Sequence, residues 1–274
     1  MKNAIISAFM LLATIATAQN FEGTAKWTIK TEFTDPAMKA KMAESQRRMN
    51  DPATQAQMKE MQEKMNDPQM KAMMEANPQM KAQMESMMKM SQGGDMSSMV
   101  PTGMTMKIKD QNTLTKMEGG MADIEILYMK GKDQSISLNR ANKTYTIMSS
   151  SPAAKPMQTK VTKTNETAKV LNYTCTKYLV EMTENGRSIT NTVWATTEIK
   201  DFNLKSLSSQ RMGSAGQSFN FEDIDGVPLK MEMNASGMKM TMEASEIKKE
   251  SLSASEFTIP ADFKEVKGVG MRGR

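Results

Sequence analysis

Methionine is the residue type whose number and spacing could do chemistry in this chain: 33 of its 274 residues are methionine, against 8 Phe, 4 Tyr, 2 Trp, one cysteine and no histidine. A thioether is soft, uncharged and carried on three rotatable bonds. It can repack around an apolar ligand of variable shape, or it can coordinate soft Cu(I). Two spacings matter. Met231-x-Met233 and Met238-x-Met240-x-Met242 flank the turn residues Ser236-Gly237, and Met104-x-Met106 repeats the pattern elsewhere. On a strand this alternation places the sulfurs on one face, where three could converge on a metal, and it is equally the pattern of an ordinary buried strand. Met231, Met233, Met238, Met240 and Met242 are therefore the candidate ligands if copper is bound.

The other methionines keep helical spacing inside an imperfect repeat that opens at Asp35-Pro36, Asp51-Pro52, Asp67-Pro68 and Asn77-Pro78. Asp or Asn caps a helix N-terminus, and proline fits the first helical position, where its missing N–H costs nothing. The pattern predicts four short helices over residues 35–90. Each carries a methionine stripe, with Lys, Glu, Gln and Arg around the rest. Met58, Met61 and Met65 on one helix and Met80, Met84 and Met87 on another are the candidate ligand-lining residues. The stripes have three readings: a lid over an apolar ligand, plain core, or a docking face for helices of a partner protein.

Enzyme chemistry finds little support. The absence of histidine removes the commonest general base, the commonest metal ligand and the usual triads. Cys175, within Asn172-Tyr173-Thr174-Cys175-Thr176-Lys177-Tyr178, has no partner for an internal disulfide and reads as a buried strand residue. Asp223-x-Asp225-Gly226 offers two carboxylates but lacks the rest of a calcium loop and suits a turn. No nucleophile elbow or phosphate-binding glycine loop occurs. The formal net charge of +5 is spread along the chain without an arginine-aromatic stripe, so nucleic acid is not an expected partner. A non-enzymatic protein without cofactor is expected, with copper as the alternative.

Lys2, the apolar run Ala4 to Ile15 and Ala16-Thr17-Ala18 form a complete signal-peptide pattern over residues 1–18, with cleavage before Gln19. A periplasmic or secreted protein follows, with no later run long enough to span a bilayer. Residues 19–274 then form a single domain. Phe21, Gly23, Ala25, Trp27, Ile29 and Phe33 alternate as a half-buried strand. After the 35–90 insertion and a linker at 91–101, Met104 to Ile108, Ile124 to Tyr128, Ile136 to Leu138 and Tyr145 to Ile147 alternate likewise. Asn185-Gly186 marks a hairpin between Tyr178 to Met182 and Ser188 to Trp194. Asp225-Gly226 marks another, between Phe219 to Phe221 and Leu229 to Met233. A short helix or loop is expected near 201–216 and a last strand or turn at Phe257 to Val266. The class is α+β, mainly β: a many-stranded antiparallel sheet with a methionine-rich helical insertion after its first strand.

Four stretches carry a resemblance: Phe21-Glu22-Gly23; Asn172 to Tyr178 followed by Thr192-Val193-Trp194-Ala195-Thr196; Gly226-Val227-Pro228-Leu229; and Phe257-Thr258-Ile259-Pro260-Ala261-Asp262-Phe263. In that order they resemble a family of exported bacterial proteins defined as a domain of unknown function (DUF4412-like), related to the periplasmic outer-membrane lipoprotein carriers. The resemblance implies a strongly curved antiparallel half-barrel whose apolar concave face is closed by helices and, in the carriers, receives acyl chains. A lipid or lipoprotein acyl chain is the partner it implies.

Overall fold

The computed structural model describes residues 21–65, 67, 100–120, 125–148, 158–184, 187–200, 202, 211–212, 217–218, 223–235 and 237–266. Strand β1 (Gly23–Phe33) is followed by helices α1 (Pro36–Met49) and α2 (Pro52–Met65). Then come β2 (Pro101–Lys109), β3 (Asn112–Gly119), β4 (Glu125–Met129), β5 (Gln134–Asn139), β6 (Thr144–Met148), β7 (Gln158–Val170), β8 (Tyr173–Glu184) and β9 (Arg187–Thr196). The short strands β10 (Arg211–Met212) and β11 (Gln217–Ser218) precede β12 (Val227–Ala235), β13 (Met238–Lys249) and β14 (Lys264–Glu265).

Twelve strands form one open sheet in the order β14-β6-β5-β4-β3-β2-β1-β13-β12-β9-β8-β7. It is antiparallel except for the parallel pair β14–β6. The chain therefore lays down β1, continues as the meander β2 to β6, restarts with β7 to β9, and returns through β12 and β13 to close against β1. The sequence-distant pairing of β1 with β13 joins the two meanders, with Ile29 opposite Met242 and Trp27 opposite Ala244 across a bulge at Lys26/Trp27.

Register decides where the core lies. Trp27 faces Met104, which faces Met117, and Ala25 faces Met106, which faces Thr115. On the other flank Ile29 faces Met242, Met242 faces Met231, Met231 faces Val193 and Val193 faces Tyr178. Directly paired residues share a face, so all of these project from one side of the sheet. They form the larger core, which also takes in Phe21, Ile199, Phe202 and Ile224. Beyond β2 the apolar side reverses. Leu114 faces Leu127, which faces Ile136, one residue out of phase with Thr113 and Thr115, so this second cluster lies on the opposite face. It is covered by Phe257 at the end of a 3₁₀ turn, with Leu252, Ile259 and Phe263 packed alongside. Lys107, on that same face, pairs with Glu256 of the turn. The C-terminal region is thus held by a small core of its own.

The repeat forms helices as its caps require. The Asp35 carboxylate accepts from the amides of Ala37 (2.6 Å) and Met38 (3.3 Å), and Asp51 accepts from Thr54 (3.2 Å). Arg47 and Arg48 complement the α1 C-terminus. The helices bury little, however: in α1 only Met38, Met42 and Ser45 are half-buried, and the rest of the described side chains are exposed. Two of the four expected helices are seen; the other two, and the 91–99 part of the linker, fall outside the described residues. The 201–216 region contributes the small β10–β11 pairing at its end rather than a described helix. Asp225-Gly226 leads into β12, which pairs with β9, whereas Phe219 to Phe221 lie outside the described residues.

Gly226 is held at φ +93°, and a Cβ there would stand 2.1 Å from the Thr196 carbonyl oxygen. That close approach sets the angle at which β12 leaves the turn. Gly226→Ala combines left-handed strain with a backbone clash, so it should lower unfolding free energy by about 2 kcal/mol or more. A urea titration followed by circular dichroism checks it, and an unchanged midpoint would show that the turn relaxes freely.

Candidate functional site

The larger face of the sheet is lined by sulfur. Met104, Met106, Met231 and Met242 are each at most 1 % exposed, Met182 is 2 % and Met233 8 % exposed. Met117 and Met240 pack against them from the edges. The five methionines of the β12–β13 hairpin lie together on this face, because Met231 pairs with Met242, Met233 with Met240 and Ala235 with Met238. The β1 residues opposite are Ile29, Thr31 and Phe33. Burial falls along the row: Met231 and Met242 are enclosed, whereas Met238 and Met240 at the turn end are half-buried.

Polar atoms punctuate this apolar face. Among the described residues, the buried indole nitrogen of Trp27 and the buried hydroxyls of Thr31, Thr113 and Thr115 find no hydrogen-bond partner. Thr113 and Thr115 are fully enclosed on the side of β3 that carries the large core, next to Ile108 and Met106. The alternation Thr113-Leu114-Thr115 marks a strand with a threonine side and a leucine side, but nothing in it tells which hydroxyls are buried. By contrast, Asn191, also buried, is satisfied. Its amide nitrogen donates to the Met182 sulfur (3.2 Å) and its oxygen accepts from the Asn234 amide (2.9 Å). Tyr128, one strand further out, donates to Asp133 (2.6 Å), and burial with that carboxylate pushes its phenol up to about 12.

An aromatic corner caps the centre of the face. Phe202, from the segment between β9 and β12, meets the Phe21 ring at 5.1 Å and the Trp27 ring edge-on at 6.4 Å. Ile199 and Ile224 from the same segment join the core. Among the described residues, the cover of this face is Ile199, Phe202 and Ile224, while α1 and α2 bury little. Alpha-helical site candidates fare differently from strand ones: Met58, Met61 and Met65 stand on α2, and Met80, Met84 and Met87 fall outside the described residues.

The other candidate chemistry resolves into structure. Asp225 binds Lys163 (2.9 Å) and accepts from the Tyr178 hydroxyl (3.4 Å), and the Lys163 ammonium holds its carboxyl below the usual range. It ties the β12 turn to β7 and β8. Among the described residues no group of three His, Cys, Asp or Glu side chains could hold a metal, and no helix is long and apolar enough to cross a membrane. Cys175 is enclosed, and burial pushes its thiol up, away from the reactive thiolate. Dithionitrobenzoate should leave Cys175 unmodified in the native protein and titrate one thiol after denaturation; rapid native reaction would show an accessible sulfur.

No curated protein matches the chain. Among solved structures, it is similar to the crystal structure of LprF from Mycobacterium bovis, at 8 % identity and a TM-score of 0.26, over 57 % of this chain and 83 % of that one. A family match extends over residues 83–263, from ahead of β2 through the segment after β13, leaving β1 and both described helices outside it. With that match covering most of its length, the chain belongs to the family described as Domain of unknown function (DUF4412).

Proposed function

We propose that this protein is an exported, non-catalytic binder of an apolar ligand carrying one polar end, an acyl chain being the simplest example, held against the methionine-lined face. The observation that carries the reading is the set of unpartnered polar atoms among thioethers. A buried hydrogen-bonding group left unsatisfied costs about 1–3 kcal/mol, and Trp27, Thr113 and Thr115 each present one on the same face. A carboxyl or ester oxygen would satisfy such donors while its chain lay against methionines that reshape at little cost. The signal-peptide pattern supports a periplasmic or secreted site of action. The half-barrel curvature and the role of the 35–90 insertion as a lid belong to the same reading.

The test is a titration of delipidated protein with palmitate, followed by tryptophan fluorescence. Trp194 is half-buried at the margin of the large core, with the Lys177 ammonium over its ring, so Trp194→Phe leaves Trp27 as the reporter. A saturable blue shift is expected. Thr113→Val with Thr115→Val removes two orphan hydroxyls, so it should raise the melting temperature of the free protein and weaken palmitate binding about tenfold, the loss of one hydrogen bond to a charged group. A fluorescence signal that never saturates, or a double variant that binds palmitate as wild type does, would refute the reading.

A further inference from the structure

We propose that the open end of the β12–β13 hairpin is a Cu(I) site built from Met233, Met238 and Met240. The inference is independent of the acyl ligand, whose polar contacts lie on β1 and β3. Three observations carry it. Met233 and Met240 are direct cross-strand partners, and Met238 precedes Met240 by two residues on the same face. Cβ atoms so related stand about 5 Å apart across the pair and about 7–8 Å on the diagonal. Thioethers on three-bond stems can close that gap around one ion.

These three sulfurs are also the reachable ones. Met231 and Met242, deeper in the row, are sealed, whereas Met238 and Met240 are half-buried and Met233 sits at their boundary. The third observation is the chemistry of the surroundings. The carboxylates of this hairpin, Glu232 and Glu243, project from the other face, where they pair with Lys230 and Lys239. Among the described residues the sulfur face of this hairpin offers thioether donors without carboxylate, imidazole or thiolate, a set that selects a soft monovalent cation over Zn²⁺ or Cu²⁺. A buried hydroxyl without a partner, that of Thr31, stands opposite Met240 on β1.

The turn is also anchored. The Gly237 carbonyl accepts from the amides of Thr34 (2.7 Å) and Asp35 (3.1 Å), which places the first turn of α1, with half-buried Met38, at the same end of the sheet. Gly237 is at φ +83°, and a Cβ there would meet the Asp35 side chain at 2.6 Å. The three ligands thus hang on a hairpin whose tip is fixed against the helix that follows β1.

The test is anaerobic competition of the full protein against bicinchoninate-bound Cu(I), with X-ray absorption on the loaded sample. Wild type should withdraw Cu(I) and show sulfur-only scattering. Met233→Leu, Met238→Leu and Met240→Leu together keep the apolar volume and should weaken the tightest site by more than about 100-fold, beyond the loss seen for an outer-shell partner alone. Met104→Leu with Met106→Leu should leave that affinity unchanged. If the triple variant does not fold, Met238→Leu alone, at a half-buried position, must still weaken binding. The inference is overturned if wild type leaves Cu(I) with bicinchoninate, if the hairpin variants bind as wild type, or if the copper carries nitrogen or oxygen ligands.

Discussion

The whole sheet depends on β1 being gripped from both sides, by β2 from the first meander and by β13 from the end of the chain. Because side chains alternate with a period of two, a one-residue slip at either seam would turn the methionine face to solvent and bring Lys26, Thr28 and Lys30 inside. The bulge between Lys26 and Trp27 sits in this seam and keeps Trp27 over Ala244, the one small partner that leaves space for an indole. Glu22 reinforces the same corner by accepting from Lys109 (2.6 Å) and from the Leu252 amide (2.7 Å), so the start of β1, the end of β2 and the chain after β13 meet at one carboxylate.

A single sheet this wide cannot bury one continuous face without a second layer of matching width. The protein solves this by reversing the buried side at β2–β3: the β1, β2, β7–β9, β12 and β13 region packs with Ile199, Phe202 and Ile224, and the β3–β6 region packs beneath the Phe257 segment. The helices have little part in this economy. Their caps are complete, yet their described surfaces are mostly exposed, and they lie outside the region shared with the family. Among the described residues, the fold stands on the sheet and the side chains that cover it, with α1 and α2 adding little burial.

Methionine replaces the leucine, isoleucine and phenylalanine that normally fill such a face. Each thioether buries as much apolar surface as leucine but fixes fewer shapes, so the core keeps its hydrophobic stabilisation while remaining adaptable. Unpartnered hydroxyls at Thr113 and Thr115 would be a plain defect in a rigid core. In an adaptable one they are consistent with an interior arranged for a guest. The exposure gradient from Met242 to Met238 runs from sealed side chains at depth to half-buried ones at the rim.

Much of this was legible before any tertiary information, because local rules act on neighbours in sequence. The Asp-Pro repeats specified helix starts at Pro36 and Pro52 through caps that need only three residues. Alternation from Gly23 to Phe33 marked β1, the tract from Met238 to Met242 marked β13, and a buried, inert Cys175 followed from its strand context. Long-range pairing was not legible: nothing local says that β1 sits beside β13, 200 residues away in the chain, or that Asp225-Gly226 opens a strand bound for β9. Register is set by which side chains fit across a seam. For the same reason the reversal of the buried face and the orphaned threonines emerged only in three dimensions, since Thr113 and Leu114 are adjacent residues whose burial depends on two different covers. Local pattern carries the types of the described elements and the sulfur-rich character of the face, whereas which methionines pair across strands, which are sealed and which stay half-exposed follows from register and cover, set by residues far apart in the chain.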